Sequence, residues 1–527
     1  MLAVVYSAAV YGTDGREVTV ECVVNKGMMP TYEVVGLPDA AIRESENRLF
    51  NGASAAGFPI PEAEIMVNLA PADIKKEGTA VELAILVGIY RASGILSCPL
   101  DTSAFIGEIS FSGDIRPVRG VLGMIIAAIS HGKTEIFVPI GNLREATVAC
   151  REGVSIYGVS SIGELIGHLL GREPMTPAAE NPFDGLAAYE SAADFAEVKG
   201  QHRAKRAMTV AACGGHNILL IGPPGSGKSM LAKRVPTILP KMTYEEALES
   251  TKIYSCAGLL TDELPFVLER PFRSPHHSLS TPAMVGGGKI PSPGEISLSH
   301  NGVLFLDEFP EFNKDTLEAL RQPLEDHVVT ITRAAGRMTF PSSFMLVCAM
   351  NPCPCGYYGS STGACTCKPA DVRKYLSKIS GPMLDRIDIQ VEMPALDFEA
   401  LSGKESAEPS AEIRQRVEAA RVLSRERFKL AGDPDYAVKS NAQMQTGDLA
   451  RFCELDDAGT AVMEGVFRRT NLSARAYDRI LRVARTLADL EAVESGTHEA
   501  EGVIGGRVKK HHLTEAAQMR VLDRKYF

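Results

Sequence analysis

Hydrophobic and polar positions change their pattern along the chain and divide it into parts. Over residues 1–170, strand-like apolar runs (EVTVECVV, AEIMVNLA and TEIFVPI) alternate with Ala-rich stretches of helical periodicity (AAIRESENRLFNGA and VLGMIIAAIS). Strands and helices that alternate in this way are typical of an α/β or α+β domain. Residues 194–394 then follow the order strand, glycine loop, helix and strand, which predicts a second α/β domain with a parallel sheet.

Two further segments lack strand patterns. Residues 171–193 (GREPMTPAAENPFDGLAAYESAA) are rich in Pro, Ala and Glu and have no clear period, which predicts an interdomain linker. Residues 395–527 have helical periodicity, many arginines and few strand candidates. We therefore expect the chain to end in a helical lid domain.

Composition and charge narrow the class of protein. Hydrophobic residues make up 45% and charged residues 23% of 527 residues, as in soluble globular proteins. No apolar run approaches the ~20 residues of a spanning helix, and MLAVVYSAAVYG lacks the basic segment and cleavage site of a signal peptide. We therefore expect a cytoplasmic location and no membrane partner. The net charge of −10 means that any DNA-binding cations must be concentrated in a groove or channel.

A phosphate-binding loop is the sharpest signal in the sequence. An apolar run, Asn217–Ile221, precedes the pattern G-x-x-x-x-G-K-S, and a helical pattern follows it. Glycines at Gly225 and Gly227 let backbone N–H groups approach phosphate oxygens. The loop consists of Gly222, Pro223, Pro224, Gly225, Ser226, Gly227, Lys228 and Ser229. We expect Lys228 to reach the β- and γ-phosphates of ATP and Ser229 to ligate Mg²⁺.

Two later strands end in polar residues that suit the same chemistry. The apolar run Val303–Leu306 leads into Asp307 and Glu308. We expect Asp307 to hold the Mg²⁺ shell and Glu308 to polarise the attacking water. Two solvated acids after a strand would be the simpler interpretation without the phosphate loop about 80 residues upstream. A third apolar run, FMLVCAM, leads into Asn351, which can orient the water.

These motifs carry a family resemblance. The segments ALRQPLED, FMLVCAMNPCPCG, GPMLDRIDI and FRSPHHSLSTPAMVGGGKIPSPGEISLSHNGVLFLDEFPEF resemble AAA+ ATPases of the magnesium-chelatase branch. The chain resembles, from end to end, the ComM/YifB family of such ATPases, which is linked to natural transformation. The resemblance implies an AAA+ P-loop core with a helical lid. It also implies a ring, a homo-hexamer, with ATP between subunits.

The resemblance assigns roles to several arginines. Arg386 matches the arginine finger that acts on the neighbour's nucleotide, and Arg475 matches the sensor-2 arginine that contacts the γ-phosphate. Helical spacing in SARAYDRILRVAR puts three more arginines (Arg479, Arg482 and Arg485) on the face of Arg475. We interpret these three as a solvated basic face. Arg321 fits an ordinary ion pair within the chain better than a contact across an interface.

Two segments could face a central pore and hold DNA. One is the insert His276–Ser292, whose tip is Gly286-Gly287-Gly288-Lys289, and the other is Val328–Pro341, whose alternating pattern predicts a β-hairpin. Lys289, Arg333 and Arg337 are candidates for DNA phosphate contacts, which position a protein without reading sequence. Surface loops with incidental charges explain each residue equally well. We interpret His276 and His277 as polar loop residues and not as metal ligands.

Four of the 11 cysteines form a cluster, and the other seven are scattered. The odd total and the scatter favour free thiols in a reducing compartment. Cys353 and Cys355 precede a Gly-rich loop, and Cys365 and Cys367 follow it within residues 353–367. Four thiolates can converge on one structural Zn²⁺. The Cys-x-Cys spacing also leaves an iron–sulfur cluster or a set of free thiols open.

The first 170 residues resemble a Lon-type proteolytic domain, of S5-like α/β fold, in the segments MVNLAPADIKKEGTAVELAILVGIY and FIGEISFSGDIRPVRGVLGMIIAAISHGKTEIFVP. In the family pattern a catalytic Ser follows a D-G-P triplet, and Ala80 falls in that slot here. The slot of the Lys base falls at Leu122. Thr79 is the nearest hydroxyl, and the nearest amines are those of Lys75, Lys76 and Lys133. We therefore expect a degenerate protease fold without proteolytic activity, used in ring assembly or partner docking.

Three functions are consistent with this domain organisation. The first is a DNA motor, a hexameric helicase or branch-migration translocase in recombination or natural transformation. Its partners would be single-stranded or branched DNA and recombination proteins. The second is a metal-chelatase-type motor subunit that remodels a protein partner. The third is a protein unfoldase or protease, which Ala80 and Leu122 disfavour.

Overall fold

The computed structural model of the protein contains two large sheets followed by a group of helices. It describes residues 1–25, 29–72, 76, 78–178, 193–261, 263–288, 291–333, 336–359, 365–395, 408–429, 438–470, 473–497, 499–500 and 503–520. Among these residues, every helix is too short or too polar to cross a bilayer.

The first sheet has seven strands in the order β3-β4-β2-β1-β5-β8-β9. The strands of the first 170 residues are β1 (Leu2–Tyr11), β2 (Asp14–Asn25), β3 (Thr31–Val35), β4 (Glu64–Ala70), β5 (Ser103–Phe105), β6 (Glu108–Ile109), β7 (Ile115–Arg116), β8 (Glu135–Pro139) and β9 (Ser155–Val159). Strands β1, β2 and β4 pair antiparallel, whereas β1, β5, β8 and β9 run parallel. The strands predicted at EVTVECVV, AEIMVNLA and TEIFVPI are confirmed.

Helices of this part bury apolar faces against the sheet. They are α1 (Ala40–Arg43), α2 (Ser45–Ala55), α3 (Glu82–Ala92), α4 (Val121–Ser130), α5 (Leu143–Ala146) and α6 (Ile162–Leu169). Helices α3 and α4 are almost entirely buried, as expected of helices that are hydrophobic on all sides. The close packing needs glycine, because a Cβ at Gly15 in β2 would lie 2.4 Å from the carbonyl oxygen of Gly123 in α4.

The second sheet is parallel and has the order β11-β14-β17-β10-β18. The strands of this part are β10 (Ile218–Ile221), β11 (Phe272–Arg273), β12 (Gly286–Gly287), β13 (Ser292–Pro293), β14 (Val303–Leu306), β15 (Val328–Arg333), β16 (Gly336–Pro341), β17 (Met345–Met350) and β18 (Ile389–Glu392). Strands β10, β14 and β17 are buried along their whole length. Helices cover both faces of such sheets, so their strands are continuously apolar.

Helices surround this sheet, and one of them begins with a capping box. They are α7 (His202–Gly214), α8 (Lys228–Ala232), α9 (Val235–Ile238), α10 (Tyr244–Ala257), α11 (Thr281–Val285), α12 (Glu295–Leu298), α13 (Lys314–Ala319), α14 (Arg321–Asp326), α15 (Pro369–Leu376) and α16 (Gly381–Leu384). Thr243 and Glu246 form a capping box at the start of α10. Such a box satisfies two backbone N–H groups that a helix start leaves unpaired.

The C-terminal part is helical, apart from a two-stranded ribbon. Its elements are α17 (Ser410–Lys429), α18 (Thr446–Phe452), α19 (Asp457–Thr470), α20 (Ala474–Ser495), β19 (Glu499–Ala500), β20 (Val503–Ile504) and α21 (Lys510–Gln518). Its buried residues share one core with α7 and β10. The fold class expected from the sequence is confirmed: an α/β core with a helical lid follows a separate α/β sheet.

The first sheet packs on α10 and on the β15–β16 hairpin of the second part. Lys252 Nζ lies 2.8 Å from Asp14 Oδ1, and the Tyr244 hydroxyl donates to the carbonyl of Val148 at 2.9 Å. Tyr11, at the β1–β2 turn, donates its hydroxyl to the carbonyl of Arg337 at 3.0 Å. The β1–β2 turn therefore braces the hairpin.

Candidate nucleotide-binding site

The phosphate loop joins β10 to α8 and leaves its inner side open. Gly225 and Gly227 have φ of 77° and 89°, a region that side chains with a Cβ rarely adopt. Apart from the two chain neighbours, a Cβ at either position would meet no atom of the described residues within 4 Å. The loop is therefore a cradle with room for phosphate groups.

Lys228 lies inside this cradle and contacts main-chain oxygens. Its Nζ donates to the carbonyls of Gly222 at 2.7 Å and Pro223 at 2.9 Å. It also donates to Asn351 Oδ1 at 3.2 Å. Burial lowers the pKa of Lys228 to about 8, although the nearby Asp307 carboxylate acts in the opposite direction. Neutral carbonyls do not fully compensate a buried cation, so an anion would be favoured here.

The carboxyl ends of three parallel strands converge on this lysine. Asp307 follows β14 and Asn351 follows β17, while the phosphate loop follows β10. Ser229 Oγ donates to Asp307 Oδ2 at 2.6 Å. A hydroxyl and a carboxylate at this separation are the oxygen donors that Mg²⁺ prefers. The cradle, the ammonium and this oxygen pair fit a nucleoside triphosphate with Mg²⁺.

Glu308 stands at the edge of the site. Its backbone has φ of 52°, and its side chain is 60% exposed. Oε2 of Glu308 lies 3.0 Å from Nδ1 of His277. The sequence interpretation of His277 as an ordinary loop residue missed this contact.

Gln201 is a second residue that the sequence analysis missed. It is buried, and its Nε2 donates to the carbonyl of Ser226 at 3.0 Å and to that of Pro394 at 2.8 Å. Its backbone is also left-handed, with φ of 52°. Gln201 therefore ties the phosphate loop to the segment that follows β18. No motif in the sequence marks this role.

The arginines assigned by resemblance lie at the opposite edge of the sheet. Arg386 and Arg475 line one cavity of about 530 Å³ together with residues that precede or begin strands, such as Asn217, Gly302 and Asp388. Lys228 is at the carboxyl ends of the same strands. With 4 to 6 residues in β10 and β17, the two edges are about 13 to 20 Å apart.

The cavity wall is charged, and Arg386 is held within it. The Arg386 side chain is 6% exposed and pairs with Glu325 at 2.5 Å. It also donates to the carbonyls of Arg321 at 3.2 Å and Pro382 at 2.7 Å. Arg321 itself pairs with Glu318 at 2.7 Å in the same chain, as expected. Arg475 is exposed.

The interpretation of Arg479, Arg482 and Arg485 as a solvated face is wrong. Arg485 is fully buried, and Arg479 pairs with the buried Asp388 at 2.5 Å. Arg482 lines the cavity, and its buried Nε has no hydrogen-bond partner among the described residues. The reason is that α20 packs against α7, α17 and α21, and Arg479 reaches Asp388 next to β18, so this face of the helix is turned inward.

The two candidate DNA-binding segments lie side by side. Strands β15 and β16 form the predicted hairpin, and Arg333 and Arg337 are exposed near its turn. A Cβ at Gly286 of the insert would lie 2.8 Å from Ile331 Cδ1, and one at Gly287 would lie 3.6 Å from Arg333 Nη2. Lys289 lies outside the described residues.

The four clustered cysteines converge in space. The Sγ atoms of Cys353, Cys355, Cys365 and Cys367 all lie within 4.8 Å of one another. Three of the separations are 3.3, 3.7 and 3.6 Å. Tetrahedral Zn²⁺ with Zn–S bonds of about 2.3 Å separates sulfurs by about 3.8 Å. Backbone hydrogen bonds at Tyr357 and Thr366 lower the pKa of Cys355, whereas the pKa values of Cys365 and Cys367 are raised, because one backbone hydrogen bond at each is outweighed by desolvation and by the neighbouring thiols. A thiolate is therefore favoured at Cys355. The donor set fits Zn²⁺.

This cysteine loop also touches the phosphate loop. A Cβ at Gly356 would lie 2.5 Å from Pro224 Cδ and 3.8 Å from Asn351 Cγ. Cys355 directly precedes Gly356, so the conformation of the cysteine cluster affects the shape of the nucleotide site.

In the first part of the chain, the structure brings together Ala80 and Leu122, the two positions that match the catalytic Ser and Lys of the protease pattern. Ala80 and Leu122 are buried in the same hydrophobic cluster. The hydroxyl of Thr79 donates to Glu108. Lys76 and Lys133 are both buried, and the ammonium of Lys133 donates to the carbonyl of Asp101 at 2.9 Å. Lys75 lies outside the described residues.

Known relatives match this chain over nearly its whole length. Magnesium chelatase models match three segments: subunit ChlI over residues 194–401, a further ChlI model over residues 20–142, and the ChlI C-terminal model over residues 407–520. The chain is 39% identical over 529 residues to the competence protein ComM of Haemophilus influenzae, covering 99% of this chain and 98% of that protein. It is 38% identical over 526 residues to YifB of Salmonella typhimurium, with the same two coverages. Lon protease 2 of Bacillus subtilis is 27% identical over 190 residues, covering 33% of this chain and 34% of that protein.

Proposed function

The chain belongs to the ComM/YifB family of magnesium-chelatase-type AAA+ ATPases, and from this premise we propose that it is a ring motor that hydrolyses ATP to move DNA. The ring is a homo-hexamer, and its activity is that of a helicase or branch-migration translocase in recombination or natural transformation. DNA as the substrate is supported by the relative named as a competence protein.

Residues at the carboxyl edge of the sheet bind and orient the nucleotide. When bound, ATP with Mg²⁺ supplies the phosphoanhydride bond and the metal charge that offsets developing negative charge. Lys228 donates to phosphate oxygens, while Ser229 and Asp307 hold the metal. Glu308 accepts a proton from the attacking water, and Asn351 orients that water.

The position of two arginines supports a ring more than any other observation. Arg386 and Arg475 line a cavity at the edge of the sheet away from the phosphate loop of their own chain, and the two edges are about 13 to 20 Å apart. An arginine that stabilises the transferred phosphoryl group must contact it. We therefore assign both residues to the nucleotide of a neighbouring subunit, with Glu325 releasing Arg386 as the neighbour docks.

A mixing experiment tests this assignment. Lys228→Ala and Arg386→Ala should each abolish ATP hydrolysis alone, whereas a mixture should regain activity, because some interfaces then combine an intact phosphate loop with an intact arginine. Arg475→Ala should behave like Arg386→Ala. Arg321→Ala is the control, since Arg321 pairs within its own chain. A mixture no more active than its components would refute the shared site.

The insert and the hairpin are the proposed DNA-binding elements. Arg333 and Arg337 are exposed, and together with Lys289 they would contact DNA phosphates. Single-stranded or branched DNA should stimulate ATP hydrolysis, and the ring should displace a strand from a fork or migrate a four-way junction. Arg333→Ala with Arg337→Ala should weaken stimulation, whereas Arg468→Ala, on the exposed α19, should not. A flat response to every DNA form, with stimulation by a chelatase partner, would favour the metal-chelatase-type motor.

We also propose a division of the chain and a role for the cysteine cluster. Residues 1–170 form a degenerate Lon-like domain, 171–193 a linker, 194–394 the ATPase core and 395–527 the lid. Residues 179–192 of the linker lie outside the described part of the chain. The four cysteines hold a structural Zn²⁺, because four protein ligands leave no open position for catalysis. Casein cleavage by the purified protein would contradict the degenerate domain.

A further inference from the structure

The β1–β2 turn of the first sheet is fixed against the β15–β16 hairpin close to the tip of that hairpin. The carbonyl of Arg337, the second residue of β16, accepts the hydroxyl of Tyr11 at 3.0 Å. A Cβ at Gly12 would lie 3.1 Å from the carbonyl oxygen of Thr339, which follows on the same strand. The β1–β2 turn and the end of the hairpin therefore form one continuous surface.

Arg16, in β2 just after this turn, is held beside the hairpin through Tyr11. Its Cζ lies 4.4 Å from the centroid of the Tyr11 ring, a distance at which a guanidinium is attracted to an aromatic face. Asp14, in the same turn, lies 2.8 Å from Lys252 of α10. The contacts of Tyr11 and Asp14 with the second part of the chain therefore fix where Arg16 stands relative to the hairpin.

The charge of Arg16 is not neutralised within the described part of the chain. Its side chain is exposed, and it forms no ion pair with a described acid. The acids next to it in sequence face other cations, since Asp14 pairs with Lys252 and Glu17 lies 4.0 Å from Lys133. An anion from outside the chain can therefore approach Arg16 without competing with a carboxylate.

The two arginines of the hairpin are in the same condition. Arg333 and Arg337 are exposed, and neither forms an ion pair with an acid in the described ranges. Uncompensated cations near one another repel, so an anion with several charges is favoured at such a surface. This local group of cations contrasts with the net charge of −10 of the chain. Such a concentration of positive charge is what a DNA-binding surface of an acidic protein requires.

We propose that Arg16 contacts a phosphate of the DNA strand that the hairpin holds, so that the first sheet forms part of the DNA-binding surface. The proposal rests on the proposed function, because it takes DNA as the ligand of the hairpin. A guanidinium can stack on an aromatic ring and still donate its N–H groups to phosphate oxygens. The first 170 residues would then hold the substrate directly, in addition to a role in ring assembly or partner docking.

The test measures the affinity for fluorescein-labelled oligodeoxythymidine by fluorescence anisotropy over a series of salt concentrations, with Mg²⁺ and a non-hydrolysable ATP analogue. Each phosphate contact to single-stranded DNA contributes about 0.7 to the slope of log K against log salt concentration. Arg16→Ala should reduce the slope by about 0.7 and weaken binding severalfold at low salt. Arg16→Lys keeps the cation and should keep the slope of the wild type. Arg43→Ala is the matched control, because it removes the same charge from an exposed position on α1, and it should bind like the wild type.

Three results would overturn the proposal while leaving DNA as the substrate. The first is a slope for Arg16→Ala equal to that of the wild type. The second is an equal loss in Arg43→Ala, which would make net charge alone responsible. The third is an equal loss in Arg16→Lys and Arg16→Ala, or a lower melting temperature of Arg16→Ala, which would assign Arg16 to stability. Wild-type protein that binds no DNA would instead refute the proposed function, and the role of Arg16 would be refuted with it.

Discussion

The lowered pKa of Lys228 predicts that ATP binding depends on pH in a defined direction. In the nucleotide-free protein, burial brings the pKa of this ammonium to about 8. Above that pH the free site holds a neutral amine, but the triphosphate binds the cation. Binding must then take up a proton, so affinity is constant well below pH 8 and falls as the pH rises through it. At pH 9 about one site in eleven is charged, which weakens binding about tenfold, or about 1.4 kcal/mol.

The measurement uses Glu308→Gln protein, which should bind ATP without turning it over. Calorimetric titration with Mg·ATP from pH 7 to pH 9.5, in two buffers of different ionisation enthalpy, gives both the affinity and the number of protons taken up. Lys228→Arg in the same background is the matched control, because a guanidinium keeps its charge over this range. An affinity that stays constant between pH 7 and pH 9.5, or binding without proton uptake at pH 9, would refute the reasoning.

Three further predictions concern stability and the cysteine loop. Asp489→Ala leaves two buried arginines without their carboxylate and should lower the free energy of unfolding, measured by urea denaturation, by about 3–5 kcal/mol. Glu464→Ala is the control: it removes an exposed ion pair and should change the free energy of unfolding by less than about 0.5 kcal/mol. Purified protein should contain one zinc per chain by atomic emission, and Cys367→Ser should lose it while Cys98→Ser keeps it; full zinc in both variants would contradict the cluster. Gly356→Ala adds a methyl group 2.5 Å from the phosphate loop at a left-handed backbone position and should raise the KM for ATP, measured in steady-state kinetics.

Much of the site could be predicted because it depends on local order along the chain. An apolar strand followed by G-x-x-x-x-G-K-S can adopt few conformations, and parallel strands bring their carboxyl ends to one edge. For that reason Lys228, Asp307 and Asn351 converge as expected. The hairpin at Val328–Pro341 could also be predicted, since its apolar residues alternate with a period of two on both sides of a turn.

The arginine-rich face of α20 could not be predicted, because helical spacing does not say which neighbour a face meets. Asp388, 91 residues before Arg479 in sequence, accepts that arginine in the folded chain. Asp489, one helical turn after Arg485, accepts both Arg485 and the distant Arg427. Burial alone would raise the pKa of Asp489, but the contacts of Arg427 and Arg485 outweigh it and hold that pKa below its usual range. Such ion pairs depend on how the lid packs against the core.

The sequence by itself determined the class of chemistry, because a phosphate loop, two acids after a strand and four clustered cysteines lie in short segments whose residues must come together. Tertiary structure alone decided which groups face each other across longer distances. Strand register set His277 against Glu308, and the parallel sheet put Arg386 and Arg475 at the edge away from Lys228. Contacts between separate elements depend on packing and strand register, and a local pattern of residues contains no information about either.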